Sequence, residues 1–379
     1  MRELRVVQED FATRLVAWQR AHGRHDLPWQ GEDAYRVWLS EIMLQQTQVA
    51  TVIPYYQRFV ASFPHIAALA AATEEQVLEH WSGLGYYARG RNLHRAARLI
   101  VEKHQGEFPR EFEQILELPG IGRSTAAAIC ALAFHERRAI LDGNVKRVLT
   151  RYCGVTGWTG EKKIEAVLWQ QAEALLPPPA GDGWGEGANV KSNATIAVYI
   201  QAQMDMGATV CTRSKPKCAQ CPVQQDCVAH QTDRVAEFPT PRPRKVVPER
   251  HSTFLLLVSG RDILLEKRAP QGIWGGLWCL PQLDNGGELP EEYAQRTGIT
   301  VNARIELDAF IHTFTHFKLH ITPVLLYVAH KPLQVQQAGR VWLDVEDALR
   351  AAIPVPVRSL LEQMNRNGRL SALRLAPAG

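Results

Sequence analysis

Between Cys211 and Cys227 the chain reads CTRSKPKCAQCPVQQDC, four cysteines within seventeen residues at the spacing C-x6-C-x2-C-x5-C. In a reducing compartment thiols clustered in this way point to a metal centre, and the segment must fold around it as a compact loop. Zinc and a [4Fe–4S] cluster both accept four cysteine ligands. The paired C-x2-C knuckles usual for zinc ribbons are missing, and that favours the cluster. Arg213, Lys215 and Lys217 project from the first arm with no acid between them. They read either as phosphate contacts or as a solvated basic loop. The other three cysteines, Cys130, Cys153 and Cys279, are scattered in apolar surroundings as ordinary core thiols.

A chain of 379 residues, 46% hydrophobic and 22% charged, has enough apolar material for two or more folded units. Its net charge of +4 permits a nucleic-acid partner without demanding one. With Arg2, Glu3, Arg5, Glu9 and Asp10 and no apolar run, the start reads as neither a secretory signal nor an anchor, and no later stretch offers roughly 18 uninterrupted apolar residues for a membrane span. The expectation is a soluble, cytoplasmic protein. From Glu9 to about Ala229 apolar residues recur at helical steps, as in Ala34–Phe59, Glu74–His80, Arg91–Lys103, Thr125–Phe134, Val145–Tyr152 and Lys162–Leu175. Pro177–Asn189 is too rich in Pro and Gly for regular structure and reads as a flexible insertion. Val235–Arg250, with four prolines and little to bury, reads as an extended linker. Beyond it, β-rich runs at His251–Val258, Asp262–Arg268, Phe317–Ala329 and Arg340–Leu343, with helices at Glu291–Thr297 and near Val345–Ala352, predict a small α+β unit.

Several motifs in the helical part carry chemistry. In LPGIGRSTAAAI, Leu118–Ile129, Gly120 and Gly122 form a turn between two helices. That turn lets the N–H groups of the second helix approach a phosphate, although a plain αα-turn has the same spacing. In VWLSEIMLQQTQ, Glu41 lies on a largely apolar face with no cation one turn away, so desolvation should raise its pKa and suit it to donate a proton. Taken alone, a half-exposed glutamate is the more ordinary explanation. Asp142 in LDGNVKRV stands where a helix cap stands, and a carboxylate held by helix N–H groups stays ionised. One protonated and one ionised carboxyl is an arrangement that cleaves glycosidic bonds through oxocarbenium-like states. In GLGYYARGRNL, two glycines present Leu84 and Tyr86 at a turn beside Arg89 and Arg91, a composition that suits filling the gap left by an extruded base and suits an ordinary amphipathic helix equally well.

LSEIMLQQTQV, GLGYYARGRNL, LPGIGRSTA, LDGNVKRVL and the cysteine loop, in this order, resemble the MutY family of adenine DNA glycosylases within the endonuclease III superfamily. The resemblance spans nearly the whole chain. It implies an all-α, two-lobed helix-hairpin-helix glycosylase over residues 1–234, with a six-helix barrel at about 31–137 and a cluster lobe of 1–30 with 138–234. After a linker at 235–249, it implies a Nudix-like α+β domain over 250–370. It implies a monofunctional enzyme, monomeric and nucleoid-associated in a bacterial-type cytoplasm, that hydrolyses adenine from double-stranded DNA opposite 8-oxoguanine or guanine. In this family Glu41 would protonate the flipped adenine, Asp142 would stabilise the sugar cation and Asn144 would order the site. Gln46, Leu84 and Tyr86 would enter the duplex, Gln201 would touch the adenine, and Cys211, Cys218, Cys221 and Cys227 would hold a [4Fe–4S] cluster. Phe314-Thr315-His316 matches the loop that reads 8-oxoguanine, with Thr where the commonest version has Ser. Gln295 and Arg296 replace the metal-binding glutamates of working Nudix hydrolases, which argues against nucleotide hydrolysis. Two rivals are a bifunctional lyase, which would need an amine where this chain has Ser124, and a non-catalytic iron–sulfur DNA-binding protein, which leaves Glu41 and Asp142 unused.

Overall fold

A computed structural model describes residues 2–178, 192–243, 246–284, 287–331 and 339–368; nearly all of the Pro177–Asn189 stretch lies outside them. Contacts divide the chain into two units, Met1–Ala71 with Asn92–Arg244, and Ala72–Arg91 with Lys245–Gly379.

The first unit is helical: α1 (Arg2–His22), α2 (Ala34–Leu44), α3 (Val49–Ser62) and α4 (Ile66–Ala71) precede the second unit's α5 (Glu74–Trp81). Then α6 (Ala88–His104) crosses the boundary, and α7 (Phe112–Leu116), α8 (Arg123–Phe134), α9 (Gly143–Tyr152), α10 (Lys162–Ala174), α11 (Ser192–Thr209) and α12 (Val228–Gln231) follow. The run of helical spacing over Ala34–Phe59 folds as two helices. Asp33 caps α2 by accepting the Arg36 N–H, and the chain breaks after Leu44 because Gln46 takes a left-handed backbone, φ 58°. Apolar periodicity continues through the break, which is why it could not be read from spacing. Ala126 to Ala131 are fully or almost fully buried along α8, where small side chains let neighbouring helices approach. Phe11 and Leu15 of α1, Val145 and Leu149 of α9, and Tyr199 and Met206 of α11 form the centre of one apolar core. The ring centroids of Phe11 and Tyr152 lie 4.6 Å apart within it.

The first part of the expected linker is docked. Phe238 is 3% exposed, its carbonyl accepts Arg151 Nε–H at 3.0 Å, and Thr240 bridges to Trp158. One apolar ring among four prolines suffices to anchor the segment, a signal that composition averages away.

Among the described residues of the second unit, eight strands make a mixed sheet: β1 (Glu249–Ser259), β2 (Asp262–Lys267), β3 (Trp278–Cys279), β4 (Gln282–Asp284), β5 (Val301–Glu306), β6 (Phe310–Thr313), β7 (Lys318–Val328) and β8 (Arg340–Asp344). β1 and β7 run parallel at the centre, with Leu255 opposite Val324 and Leu257 opposite Leu326. Their near-continuous apolar runs suit strands covered on both faces. β2 and β4 flank β1, and β5 and β6 flank β7, all antiparallel. Helices α13 (Pro290–Arg296), α14 (Val345–Arg350) and α15 (Val355–Arg366) complete the unit. α15 went unread from sequence although Leu360, Leu361 and Met364 are buried at helical spacing.

Candidate active site

Glu41 lies on α2, between the buried Trp38 and Leu39 before it and Ile42 and Met43 after it. Its own side chain is half-buried, and among the described residues no ion pair reaches it. Burial first, and the charge of Asp142 second, push its carboxyl up to about 8. That is the shift expected from the sequence.

Asp142 caps α9, its Oδ1 accepting Val145 N–H at 2.7 Å. Burial raises its pKa as well, against the opposing pull of the Val145 and Asn144 hydrogen bonds and the Arg147 charge. The helix therefore does not hold Asp142 below its ordinary range, as its capping position alone predicts. Burial outweighs the donors. Among the described residues, N–H groups and a guanidinium face Asp142, whereas the charge of Asp142 adds to the upward push on Glu41.

The hairpin aligns both elements. Ser124 Oγ accepts Leu141 N–H at 2.9 Å, fixing the residue before Asp142, and Gln45 Nε2 at the end of α2 donates to Thr125 Oγ1 at 3.3 Å. Gly120 is required twice: its φ is 83°, and a Cβ there would stand 2.8 Å from Asn92 Cβ. Gly122, the N-cap of α8, is exposed with open space around it, leaving the first N–H groups of α8 accessible. Gln46 is exposed, in its left-handed conformation. A non-glycine residue held there costs of order 1–3 kcal/mol, a kind of strain that gathers at functional sites.

Asn144 leads from this site to the cysteine loop. Arg147 Nη2 donates to Asn144 Oδ1 at 2.9 Å and to the Gly207 carbonyl at 2.6 Å, while its Nε donates to the Cys211 carbonyl at 2.8 Å. Gly207 permits the contact, because a Cβ on it would lie 2.5 Å from Asn144 Cβ. One turn on, Arg151 is 3% exposed. Its Nη1 donates to Cys211 Sγ at 3.3 Å and to the Thr212 carbonyl at 2.7 Å, and its Nη2 donates to the Arg213 carbonyl at 3.1 Å. Burial pushes the Cys221 thiol up to about 12 and raises Cys227, and the charges of the other loop cysteines add to both shifts. Thiolates so placed need a cationic partner, which ligated iron provides together with the buried guanidinium. The donor set fits the cluster expected from the sequence.

Sequence reading missed the group that fastens Gln201. Asp205, fully buried on α11, accepts from Gln19 Nε2 at 2.9 Å, from Arg24 N and Nε at 2.8 and 2.9 Å, and from Gln201 Nε2 at 2.8 Å. With its amide nitrogen tied, Gln201 keeps Oε1 as an acceptor. An aspartate in the apolar run IAVYIQAQMDMGA was the available signal.

In the second unit, Tyr86 is 46% exposed with φ 49°. Leu84 does not protrude beside it; its side chain is only 5% exposed. Gly83 and Gly85, at φ 96° and 77°, fold the loop inward, and Trp81 Nε1 and Arg89 Nη2 hold the Gly85 carbonyl at 3.1 and 3.2 Å. Thr315 and His316 are exposed at the turn between β6 and β7, while Phe314 stacks on the buried Phe317 at 4.3 Å. Arg296 pairs with Glu288 at 2.6 Å, and Glu266 accepts from Tyr293 and Arg340 at 2.7 and 2.6 Å, so these groups are engaged in structural bonds.

Residues 39–174 match the HhH-GPD superfamily base excision DNA repair protein model, residues 211–227 the iron-sulfur binding domain of endonuclease III, and residues 253–363 the NUDIX domain. The adenine DNA glycosylase of Buchnera aphidicola (strain APS) is 36% identical over 94% of this chain and 98% of its own length. That of Homo sapiens is 32% identical, over 92% of this chain and 73% of its own. Among solved structures, a thermostable thymine-DNA glycosylase is 25% identical with a TM-score of 0.50, covering 59% of this chain and 97% of that one. Full-length similarity to curated enzymes, on a helix-hairpin-helix frame with a Nudix-like domain, settles the lineage: the chain belongs to the adenine DNA glycosylase family, DNA-binding N-glycosylases of base excision repair that carry a [4Fe–4S] cluster.

Proposed function

We propose that this enzyme hydrolyses adenine from double-stranded DNA where it is mispaired with 8-oxoguanine or guanine, acting as a monomer and leaving an intact abasic strand. The observation that carries the chemistry is the unequal carboxyl pair. Glu41, with no ion pair among the described residues and pushed up to about 8, is protonated at neutral pH, whereas Asp142 faces N–H donors and Arg147. With adenine extruded from the duplex, Glu41 delivers its proton to N7 and the base leaves with the bonding pair of the C1′–N9 bond. Asp142 stabilises the sugar cation by charge, and Asn144 and Val145 hold it in place. Water then adds to C1′ and gives up a proton, which restores Glu41.

Ser124 offers no amine and is occupied by Leu141 N–H, so no Schiff base forms. Gln201, braced by Asp205, presents an acceptor to the adenine amine. Gln46 and Tyr86, both held in strained backbone, are the residues that enter the duplex, and the α8 N-terminus behind Gly120 and Gly122 takes a phosphate. Thr315 and His316 read 8-oxoguanine from the exposed β6–β7 turn. The cluster, when bound to the four cysteines, supplies a cross-link that ties the loop to α9 and supports DNA binding.

Duplexes with A:8-oxoguanine and A:G, analysed with and without alkali, test this reading. Base release that yields strand breaks only after alkali is expected. Strand breaks without alkali at the rate of base release would move the enzyme to the lyases.

A further inference from the structure

The loop that carries Tyr86 is held from the carboxyl-terminal part of its own unit. Ser82 Oγ donates to the Ile353 carbonyl at 3.2 Å, and Tyr87 OH donates to the same carbonyl at 3.3 Å while accepting Gly83 N–H at 3.4 Å. Arg358 Nη2 donates to Ser82 Oγ at 3.0 Å. The same guanidinium donates to the Leu349 and Ala351 carbonyls, tying α15 to the end of α14. Ile353 is fully buried, and the carbonyl of its neighbour Ala352 accepts Trp278 N–H at 2.9 Å, so the anchor is fastened to β3 of the sheet. At the far end of the loop Arg91 Nη1 donates to the Gly275 carbonyl. A segment with left-handed residues at Gly83, Gly85 and Tyr86 has little regular hydrogen bonding of its own. Its shape depends on such external bonds.

We propose that the Ile353 carbonyl and Arg358 clamp Ser82–Tyr87 in the shape that presents Tyr86 to DNA, which makes Arg358 a positioning residue for duplex engagement. This rests on the reading that Tyr86 enters the duplex. The clamp lies in the Nudix-like part of the sequence and acts on the helical part, so that region contributes to holding any mispair as well as to reading 8-oxoguanine. Because the clamp touches neither carboxyl, it governs binding and leaves the excision step alone.

The test uses full-length, cluster-containing protein with Arg358→Met, Arg358→Lys, Ser82→Ala and Tyr86→Ala. Three quantities are read: amide exchange at Gly83–Tyr86, the Kd for a duplex with a non-hydrolysable adenosine analogue opposite guanine, and the single-turnover excision rate at saturating enzyme. Arg358→Met should speed exchange in the loop and weaken binding, each roughly tenfold, since a charge-assisted bond is lost. The saturated excision rate should hold to within about twofold. Lysine keeps one donor and should recover part of both effects. Ser82→Ala should act in the same direction but less, and it guards against a general loosening of α14 and α15, since it removes only the loop's side of the bond. Unchanged exchange at Gly83–Tyr86 in both Arg358→Met and Ser82→Ala would overturn the clamp. So would a loosened loop with unaltered Kd while Tyr86→Ala weakens binding. If Tyr86→Ala itself binds normally, the role of Tyr86 in the duplex is what fails, and the proposal falls with it.

Discussion

At the scale of the residue, Glu41, the proton donor proposed above, also carries a cost to stability. Its folded pKa is raised from about 4.5 to about 8, so its protonated form is favoured by folding. A group shifted upward contributes stability that is fully present below its unfolded value and lost as pH rises through the folded one. Between about pH 4.5 and 8 the enzyme should therefore lose stability from this site, and Glu41→Gln should relieve it. We expect that variant to be more stable than the parent at pH 8, by on the order of 2 kcal/mol after allowing for partial solvent screening, and so to melt higher there, and to match it near pH 4.5. Excision should fall roughly a hundredfold or more, because an amide cannot donate the proton. In the parent enzyme kcat/KM should decline above about pH 8, as Glu41 ionises. Thermal melts across pH and a pH–rate profile check both halves; a variant that melts no higher at pH 8 would mean Glu41 is better solvated than its position implies. Asp142→Asn separates capping from catalysis in the same manner. An amide at the cap keeps an oxygen for Val145 N–H, so stability should change by less than about 1 kcal/mol while excision collapses. Parallel losses of stability and activity would leave Asp142 as a cap alone.

At the scale of the element, α9 and α11 meet through a glycine whose purpose is spatial. A methyl on Gly207 would need the space of Asn144 Cβ, 2.5 Å away, so the helices must separate and Arg147 must give up part of its contacts with Asn144 and the Cys211 carbonyl. Gly207→Ala should cost about 1–3 kcal/mol and reduce excision more than binding. Gly143→Ala, at a position with nothing within 4 Å, is the control and should be neutral or slightly stabilising in a melt. Equal behaviour of the two would mean the helices part without consequence. The same region marks the limit of what sequence reveals. The setting of Glu41 on an apolar helix face, the cap at Asp142 and the four thiols on one loop were legible because each feature is local. The Asp205 clamp on Arg24, Gln19 and Gln201 was not, since its partners lie 181 and 186 positions apart as well as one turn away. Leu84 was misjudged for a related reason, because two glycines announce a turn without saying which side chain it turns inward. The break at Gln46 and the helix α15 were lost for simpler reasons, an apolar period that runs on through the first and an unremarked stripe at the chain's end.

At the scale of the whole molecule, the cysteine loop belongs to the core of the first unit, with Cys211, Cys221 and Cys227 packed against it. Arg151 joins Cys211 Sγ, the Thr212 and Arg213 carbonyls and the docked Phe238 carbonyl, so α9, the loop and the linker's first turn share one buried cation. The second unit has its own apolar core, built on Leu255, Leu257, Val324 and Leu326. Iron held by four thiolates should give a brown protein absorbing near roughly 400 nm with about four irons per chain. Stripping it leaves the buried Arg151 guanidinium against Cys211 without iron beside it, and leaves Cys221 and Cys227, whose burial opposes their ionisation, without a cationic partner. Amide exchange in iron-free protein should therefore rise along α9, over residues 211–231 and at Phe238, and stay at its original level in β1 and β7. Reconstitution with iron and sulfide should restore protection and DNA affinity together. A uniform rise in exchange through the sheet would show that the cluster stabilises the molecule globally, and zinc at one equivalent in protein prepared without air would remove the iron assignment itself.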